Sequence, residues 1–257
     1  MKKIKFLYLF ILIFLLLIII LLNKETTRKI AINYNVVEYN IPIHLKINDF
    51  FNRHLNYKYL VDKINSNSNN TEDFILNTTK WVNHNIKKIP EGVDVVDNHP
   101  LTIFHRRLGT QSQFNDILSV FLIYLNIDSF FIKFDTIDHP LTLFKVNNYW
   151  SLLDPYYGVY FMNQKGSFAS IEELKKTNWQ IVNLDSQIVN SKELINAFPQ
   201  NFISYEELKE YYKKIFANIP SSLQIDDTNI FERGGRSYTQ KPLNRLKFEI
   251  YKFMKVN

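Results

Sequence analysis

The chain has 257 residues, of which 46% are hydrophobic, so it can bury the core of one full-sized domain with appended segments. The first 29 residues carry +5 of its formal charge of +6 and leave only +1 for the rest, so no nucleic-acid partner is predicted. Because the chain has no cysteine, disulfides, thiolate metal sites and a thiol nucleophile are excluded.

An uninterrupted apolar run of seventeen residues, 6–22, opens the chain. A membrane-spanning helix needs roughly 17–25 apolar residues, so this run is predicted to be an uncleaved, single-pass transmembrane anchor. A cleaved signal peptide is the alternative, but no small-residue cleavage motif follows at Asn23 to Thr27. The flanking charges favour a cytoplasmic N-terminus and an extracytoplasmic domain, in the periplasm or at the cell surface.

Three segments are predicted to follow the anchor. Ile30 to Lys46 is typical of an edge strand or an extended tether that packs on the domain. Asn48 to Lys63 is predicted to be helical, and a second helix is predicted to start at Thr71 with a hydroxyl cap and to stop at Pro90. We therefore expect residues 1–29 to form the anchor and its juxtamembrane segment, with the domain beginning at residue 30.

The loop-rich segment from Glu91 to Gly109 contains potential metal ligands at Asp94, Asp97 and His99. These residues do not have the spacing of two histidines on one helix face, and no thiol is present to complete a site. A loop that holds the start of the next helix is the simpler interpretation. No metal and no cofactor are predicted.

The best-patterned helix follows this loop. Its apolar residues recur at helical spacing and predict a buried stripe; they are Phe114, Ile117, Leu118, Phe121, Leu122 and Leu125. Burial of this stripe against a sheet would fix the first turn, Gln111 to Gln113, inside the protein with its free amide N–H groups facing a cleft. Such a helix start favours anions and lowers the pKa of a nucleophile placed there.

A strand from Phe130 to Asp135 and a hairpin around Asn147-Asn148 are predicted next. The two-residue turn fixes the register of the hairpin and makes His139 the diagonal neighbour of Asp154 on one face, within reach of its side chain. Asp154 could then orient the imidazole and His139 could act as a base. The alternative is a buried histidine satisfied by a carboxylate, with no chemistry attached.

The C-terminal part is predicted to contain further strands and then helices near Tyr205 to Phe216 and Asn244 to Met254. Residues 30–200 are expected to form the domain, and 201–257 a helical extension packed on or beside it. The apolar face of the last helix is expected to pack in the core; a partner or membrane surface is the alternative.

The pattern resembles the transglutaminase-like superfamily, which shares a papain-like Cys-His-Asp core. The resemblance covers about a third of the chain and depends on Arg107-x-Gly109-x-Gln111, on His139, and on Trp150 to Pro155. It implies an α+β fold in which a central helix packs on an antiparallel sheet, behind the transmembrane helix. It also implies that His139 and Asp154 occupy the places of base and orienter, and that the helix start takes the nucleophile's place.

The nucleophile position depends on the register chosen. One register places Gln111 there, and an amide cannot act as this kind of nucleophile; the other places Ser112 there. The first hypothesis is therefore a pseudoenzyme: a membrane-anchored binding domain at the cell envelope, whose cleft holds a peptide, protein or glycan ligand. The second is a serine-dependent hydrolase or acyl transferase that uses Ser112, His139 and Asp154.

Overall fold

The structure is a computed structural model, and it describes residues 2–32, 35–90, 93, 100–133, 139–176, 178–185, 195, 198, 202–219 and 235–256. The helices in this part of the chain are α1 (Lys2–Leu22), α2 (Ile43–Ile64), α3 (Thr71–Asn85), α4 (Pro100–Arg106), α5 (Gln111–Tyr124), α6 (Ile171–Leu174), α7 (Tyr205–Ala217), α8 (Gly235–Tyr238) and α9 (Pro242–Val256). The strands are β1 (Glu25–Ile32), β2 (Asn35–Pro42), β3 (Lys87–Lys88), β4 (Leu108–Gly109), β5 (Ser129–Ile132), β6 (Leu141–Val146), β7 (Tyr149–Asp154), β8 (Val159–Asn163) and β9 (Trp179–Asn183).

A five-stranded antiparallel sheet in the order β5-β6-β7-β8-β9 forms the centre of this α+β fold. The β6–β7 hairpin pairs in the predicted register, with Val146 opposite Tyr149 and Leu143 opposite Leu152. Asn147 and Asn148 both adopt positive φ, at 47° and 67°, as a tight hairpin turn requires. This turn determines which side chains share a face of the sheet.

Different helices cover the two faces of the sheet. On one face, Phe144 and Leu153 pack in a core that includes residues of α2, α3 and α5. On the other face, Leu143 and Leu152 pack in a core that includes residues of α7. The fold is therefore layered, with helices on both sides of a sheet whose successive residues alternate between the two cores.

Helix α5 is the central buried helix that the apolar stripe predicts. Every residue from Gln113 to Ile123 is buried, and the stripe residues Phe114, Ile117 and Phe121 are at most 1% exposed. The helix start is held from outside the helix, since Gln113 Oε1 accepts a hydrogen bond from Thr110 N–H at 3.0 Å and one from Arg106 Nη2 at 3.0 Å.

The N-terminal segments differ from the prediction. Instead of one edge strand over Ile30 to Lys46, β1 and β2 form an antiparallel two-stranded hairpin, so the predicted boundary at residue 29 falls inside a strand. Helix α2 starts at Ile43, five residues before Asn48, directly after Pro42 with φ −65°. Pro42 is the N-cap residue of α2, where a proline is tolerated because no helical hydrogen bond from its N–H is required.

Helix α3 starts at Thr71 as predicted, but its cap is Asn70, whose side chain accepts from Asp73 N–H at 2.8 Å. It ends at Asn85 rather than near Pro90, because Lys87 and Lys88 leave the helix to pair with Leu108 and Gly109. The predicted loop before α5 contains α4 and β4. Its potential metal ligands, Asp94, Asp97 and His99, lie outside the described residues, as does Asp135 at the predicted end of β5.

Helix α1 covers the apolar run that the sequence predicts to be a transmembrane anchor. In the part of the chain that the structure describes, no helix has both the length and the apolar character needed to cross a membrane. The prediction of a spanning anchor is therefore not supported.

The last helix does not pack in the core. Most apolar residues of α9 are exposed, including Leu246 at 57% and Phe253 at 72%, and Phe248 and Tyr251 are half-buried. The expectation of core packing is wrong here because helical periodicity shows that a helix has an apolar face but not what covers that face.

Candidate functional site

The β6–β7 hairpin brings His139 and Asp154 together. His139 precedes β6, Asp154 ends β7, and Nε2 of the imidazole lies 2.6 Å from Oδ2 of the carboxylate. Both side chains are almost fully buried, at 3% and 0% exposure. A contact this short between buried groups is a charge-assisted hydrogen bond, in which Nε2–H donates to the carboxylate.

The Asp154 carboxylate has four donors around it. Oδ1 accepts from the backbone N–H groups of Tyr156 at 3.0 Å and Tyr157 at 3.1 Å. Oδ2 accepts from His139 and from the Tyr212 hydroxyl, the latter at 2.9 Å. A carboxylate offers about four acceptor sites, so all of them are filled by the protein.

The second nitrogen of His139 is also engaged. Nδ1 lies 2.7 Å from the hydroxyl of Tyr211, on helix α7. Because Nε2–H donates to Asp154, Nδ1 of a neutral imidazole is an acceptor and the Tyr211 O–H donates to it. His139 therefore has no nitrogen left for a substrate or for a serine in this arrangement.

Aromatic rings enclose the imidazole. Tyr157 stacks on it with a centroid distance of 5.6 Å, and Tyr211 and Tyr212 contact it edge to face at 5.4 and 5.5 Å. Burial raises the pKa of the Tyr212 hydroxyl well above its usual value, and the charge of Asp154 adds to this effect. Tyr212 therefore remains a hydrogen-bond donor to the carboxylate at all ordinary pH values.

The start of α5 lies beside the strand that follows His139. Asn115, fully buried, donates from Nδ2 to the carbonyl oxygens of Gln111 at 2.9 Å and Pro140 at 3.0 Å. Its Oδ1 accepts from the Thr142 hydroxyl at 2.7 Å. Asn115 thus connects the first turn of α5 to the beginning of β6. Its hydrogen bonds with Pro140 and Thr142 are long-range contacts that helical periodicity does not predict.

Neither candidate nucleophile position is hydrogen-bonded to the imidazole. Gln111 and Ser112 are partly buried in the first turn of α5, and the hydrogen bonds of His139 go to Asp154 and Tyr211 instead. The pair faces α7, whereas α5 packs on the opposite face of the sheet. The Gln111 Nε2 atom is buried and has no hydrogen-bond partner among the described residues.

Lys88 lies next to this helix start. It pairs with Gly109 in the β3–β4 ladder, and its Nζ lies 4.5 Å and 4.6 Å from the ring centroids of Tyr156 and Tyr157. Burial lowers the pKa of Lys88, and the negative charge of Asp154 opposes this shift. The ammonium group is a cation held over two aromatic rings, within the field of the buried carboxylate.

Tyr211, Tyr212 and Lys88 are the polar groups that the sequence analysis missed. The two tyrosines lie 72 and 58 residues from the groups they bond, on a helix with an ordinary amphipathic pattern. The local sign is the adjacent pair of tyrosines, but helical spacing does not by itself direct two neighbouring residues to one site.

No family model and no curated protein matches this chain. Among solved structures, it is similar to a "putative cysteine protease" from Cytophaga hutchinsonii, with 12% identity, a TM-score of 0.35 and coverage of 62% of this chain and 71% of that one. It is also similar to a "putative protease" from Parabacteroides distasonis ATCC 8503, with 13% identity and a TM-score of 0.33, over 62% of this chain and 39% of that one. Likeness at these TM-scores does not bear on activity, and this chain contains no cysteine.

Proposed function

We propose that this chain is a transglutaminase-like domain without catalytic activity, which binds an acyl-containing peptide, protein or glycan ligand at the cell envelope. The observation that carries the proposal is the saturation of the His139–Asp154 pair: every acceptor site of the carboxylate and both ring nitrogens are used within the protein. A general base needs a free nitrogen within hydrogen-bond reach of the proton it removes. His139 has none.

The helix start supports an acyl ligand. Gln111 Nε2 is a buried donor without a partner among the described residues, and Lys88 pairs through its backbone with Gly109, two residues before α5. A carbonyl or carboxylate oxygen would satisfy such a donor, and the positive end of the α5 dipole adds to the attraction. The ligand therefore presents oxygen acceptors to α5 and not a scissile bond to His139.

The test is a serine-directed fluorophosphonate probe on the full chain, together with hydrolysis of p-nitrophenyl acetate. We expect no labelling and no hydrolysis above the rate with heat-denatured protein. Labelling at Ser112 that is lost in His139→Ala would overturn the proposal in favour of a serine hydrolase or acyl transferase. Labelling at the Tyr211 hydroxyl would overturn it as well, since that phenol would then be an activated nucleophile.

We further propose that α1 attaches the domain to a membrane. Its large apolar side chains from Phe6, at 73%, to Leu21, at 60%, are exposed except for the half-buried Ile18, and no core of the described domain covers them. Burial of such a surface in lipid removes it from water at about 25 cal/mol per Å². The full chain should therefore float with lipid vesicles in a density gradient. The double variant Leu12→Lys and Leu16→Lys should no longer float. Flotation of this variant would contradict the membrane attachment.

A further inference from the structure

A groove lies between α2, α3 and α4, apart from the His139 site. It has a volume of about 460 Å³, and its mixed lining includes the apolar side chains of Leu60, Trp81 and Phe104. Two cations, Lys63 and Arg107, lie on its rim, and no acidic residue is among its lining residues. The volume falls in the range of about 300–1,000 Å³ that small-molecule sites occupy.

Arg107 has an unusual backbone conformation. It follows α4 directly and has φ 57°, where glycine is the favoured residue because a Cβ costs about 1 kcal/mol or more in this region. The side chain is held in a defined place: the guanidinium lies 5.3 Å from the Trp81 ring centroid and 5.0 Å from that of Phe104, and Nη1 donates to Asn85 Oδ1 at 2.9 Å. The strained backbone conformation of Arg107 therefore occurs where its cation lies in a defined place over the Trp81 and Phe104 rings.

The positive charges of the groove have no ion-pair partner among the described residues. Arg107 and Lys63 form no ion pair with any described residue, whereas Lys58, on the same helix as Lys63, is paired with Asp62 at 3.3 Å. The hydrogen bond from Nη1 to Asn85 uses one of the five N–H groups of the Arg107 guanidinium, so the edge formed by the others is available to a ligand. A planar carboxylate matches this edge in a bidentate manner, with the Lys63 ammonium as a second positive charge.

We propose that this groove is a binding site for a carboxylate attached to a flat apolar group. The apolar body lies on Trp81 and Leu60, and the carboxylate pairs with Arg107 and Lys63. Two sources share this chemistry: the C-terminus of a peptide that ends in an aromatic residue, and a free aromatic acid. The site is independent of the His139 cluster and of the function proposed for it.

The experiment is calorimetric titration of the full chain with N-acetyl-L-phenylalanine and with 3-phenylpropanoate, each compared with its primary amide. The acids should bind and the amides should bind at least about tenfold more weakly, since a charge-assisted pair is worth about 1.5–3 kcal/mol. Tighter binding of N-acetyl-L-phenylalanine identifies a chain terminus as the natural source, and tighter binding of 3-phenylpropanoate identifies a free acid.

Three variants locate the site. Arg107→Gly removes the guanidinium at a position whose φ suits glycine, and should weaken binding of the acids about tenfold or more. Lys63→Gln should weaken it less, and Lys58→Gln, which changes an exposed lysine outside the groove, should leave it unchanged. The proposal is overturned if neither acid saturates the protein by about 10 mM, if the amides bind as well as the acids, or if Arg107→Gly binds like the unchanged chain.

Discussion

At the scale of single residues, the Tyr211 hydroxyl determines whether His139 can act as a base, because it occupies the Nδ1 atom of the imidazole. Tyr211→Phe leaves Nδ1 of a buried imidazole without its 2.7 Å partner. Loss of one partner of a buried hydrogen bond costs about 1–3 kcal/mol, so the free energy of unfolding should fall by about 1–2 kcal/mol. Urea denaturation measures this change.

The matched control is Tyr59→Phe, which removes a hydroxyl from a tyrosine that is 69% exposed and should change the free energy of unfolding by less than about 0.5 kcal/mol. An equal, small effect of both substitutions would mean that Tyr211 does not hold the imidazole in solution. In that case Nδ1 would be free, and the main support for an inactive domain would be lost.

A second residue-scale prediction concerns the helix start. In Gln111→Cys, the thiol lies at the positive end of the α5 dipole, and the backbone of Lys88 pairs with Gly109, two residues before position 111. Because the helix dipole favours the thiolate, its pKa should lie below the value of about 8.5 for an ordinary cysteine, and it should react faster with iodoacetamide at neutral pH. The pH dependence of the alkylation rate gives the pKa.

Lys165→Cys is the control for this variant, since it places a thiol in the exposed turn before Gly166. If both thiols titrate alike, the amide N–H groups of α5 do not face an accessible cleft. The acyl-binding role of the helix start would then be wrong, whereas the saturated His139–Asp154 cluster would not be affected.

The residue scale also shows what the sequence could and could not predict about the site. The contact between His139 and Asp154 follows from a two-residue turn and strict strand alternation, both of which are local properties. Tyr211 and Tyr212 reach the same pair from 58 to 72 residues away, and no local pattern specifies such a contact. The sequence therefore predicted the pair but not the groups that occupy its remaining hydrogen-bonding sites.

At the scale of secondary-structure elements, the β6–β7 turn controls the site because it sets the face on which Asp154 lies. Asn148 has φ 67°, which asparagine and glycine tolerate and a β-branched residue does not. Asn148→Val should therefore lower the free energy of unfolding by about 1–2 kcal/mol, while Asn148→Gly should leave it nearly unchanged. Both values come from urea denaturation of the full chain.

If Asn148→Val were as stable as Asn148→Gly, the turn would not have the positive φ that fixes this register. The dependence of the site on the hairpin would then have to come from strand pairing alone. Circular dichroism of both variants separates this outcome from a general loss of structure.

The elements differ in how far their sequences specify them. Helix α5 was predictable because its apolar stripe is long and regular at helical spacing. The segment from Ile30 to Lys46 was predicted as one edge strand or tether; its division into two paired strands was missed because residues 25–29, which form part of β1, were assigned to the juxtamembrane segment. For α9, the pattern predicts an apolar face correctly, but the covering surface is a tertiary property that the pattern does not contain.

At the scale of the whole molecule, helix α7, in the C-terminal part of the chain, contributes to the core that covers one face of the sheet. Leu208, Ile215 and Phe216 are fully buried with the strand residues of that face, and Tyr212 is buried between them and Asp154. The segment expected to be an extension thus supplies one wall of the site. Closure of the site and stability of the domain therefore depend on the same helix.

The stability of the domain should consequently decrease in alkaline solution. Burial raises the pKa of several tyrosines, including Tyr212 and Tyr157, so the folded state retains protons that the unfolded chain releases above its tyrosine pKa of about 10. The stability that these groups contribute is complete below about pH 10 and is lost as the pH rises further, at about 1.4 kcal/mol per pH unit for each such tyrosine. Urea denaturation between neutral pH and about pH 11 measures the slope.

Two variants test the contribution of Tyr212. In Tyr212→Phe, the alkaline slope should become smaller by the contribution of one tyrosine. Phe161→Leu, which alters a ring 4.8 Å from that of Tyr212, should lower the free energy of unfolding at every pH and leave the slope unchanged. An unchanged slope in Tyr212→Phe would show that this hydroxyl is not buried against Asp154. The proposal of a saturated His139–Asp154 cluster would then be wrong.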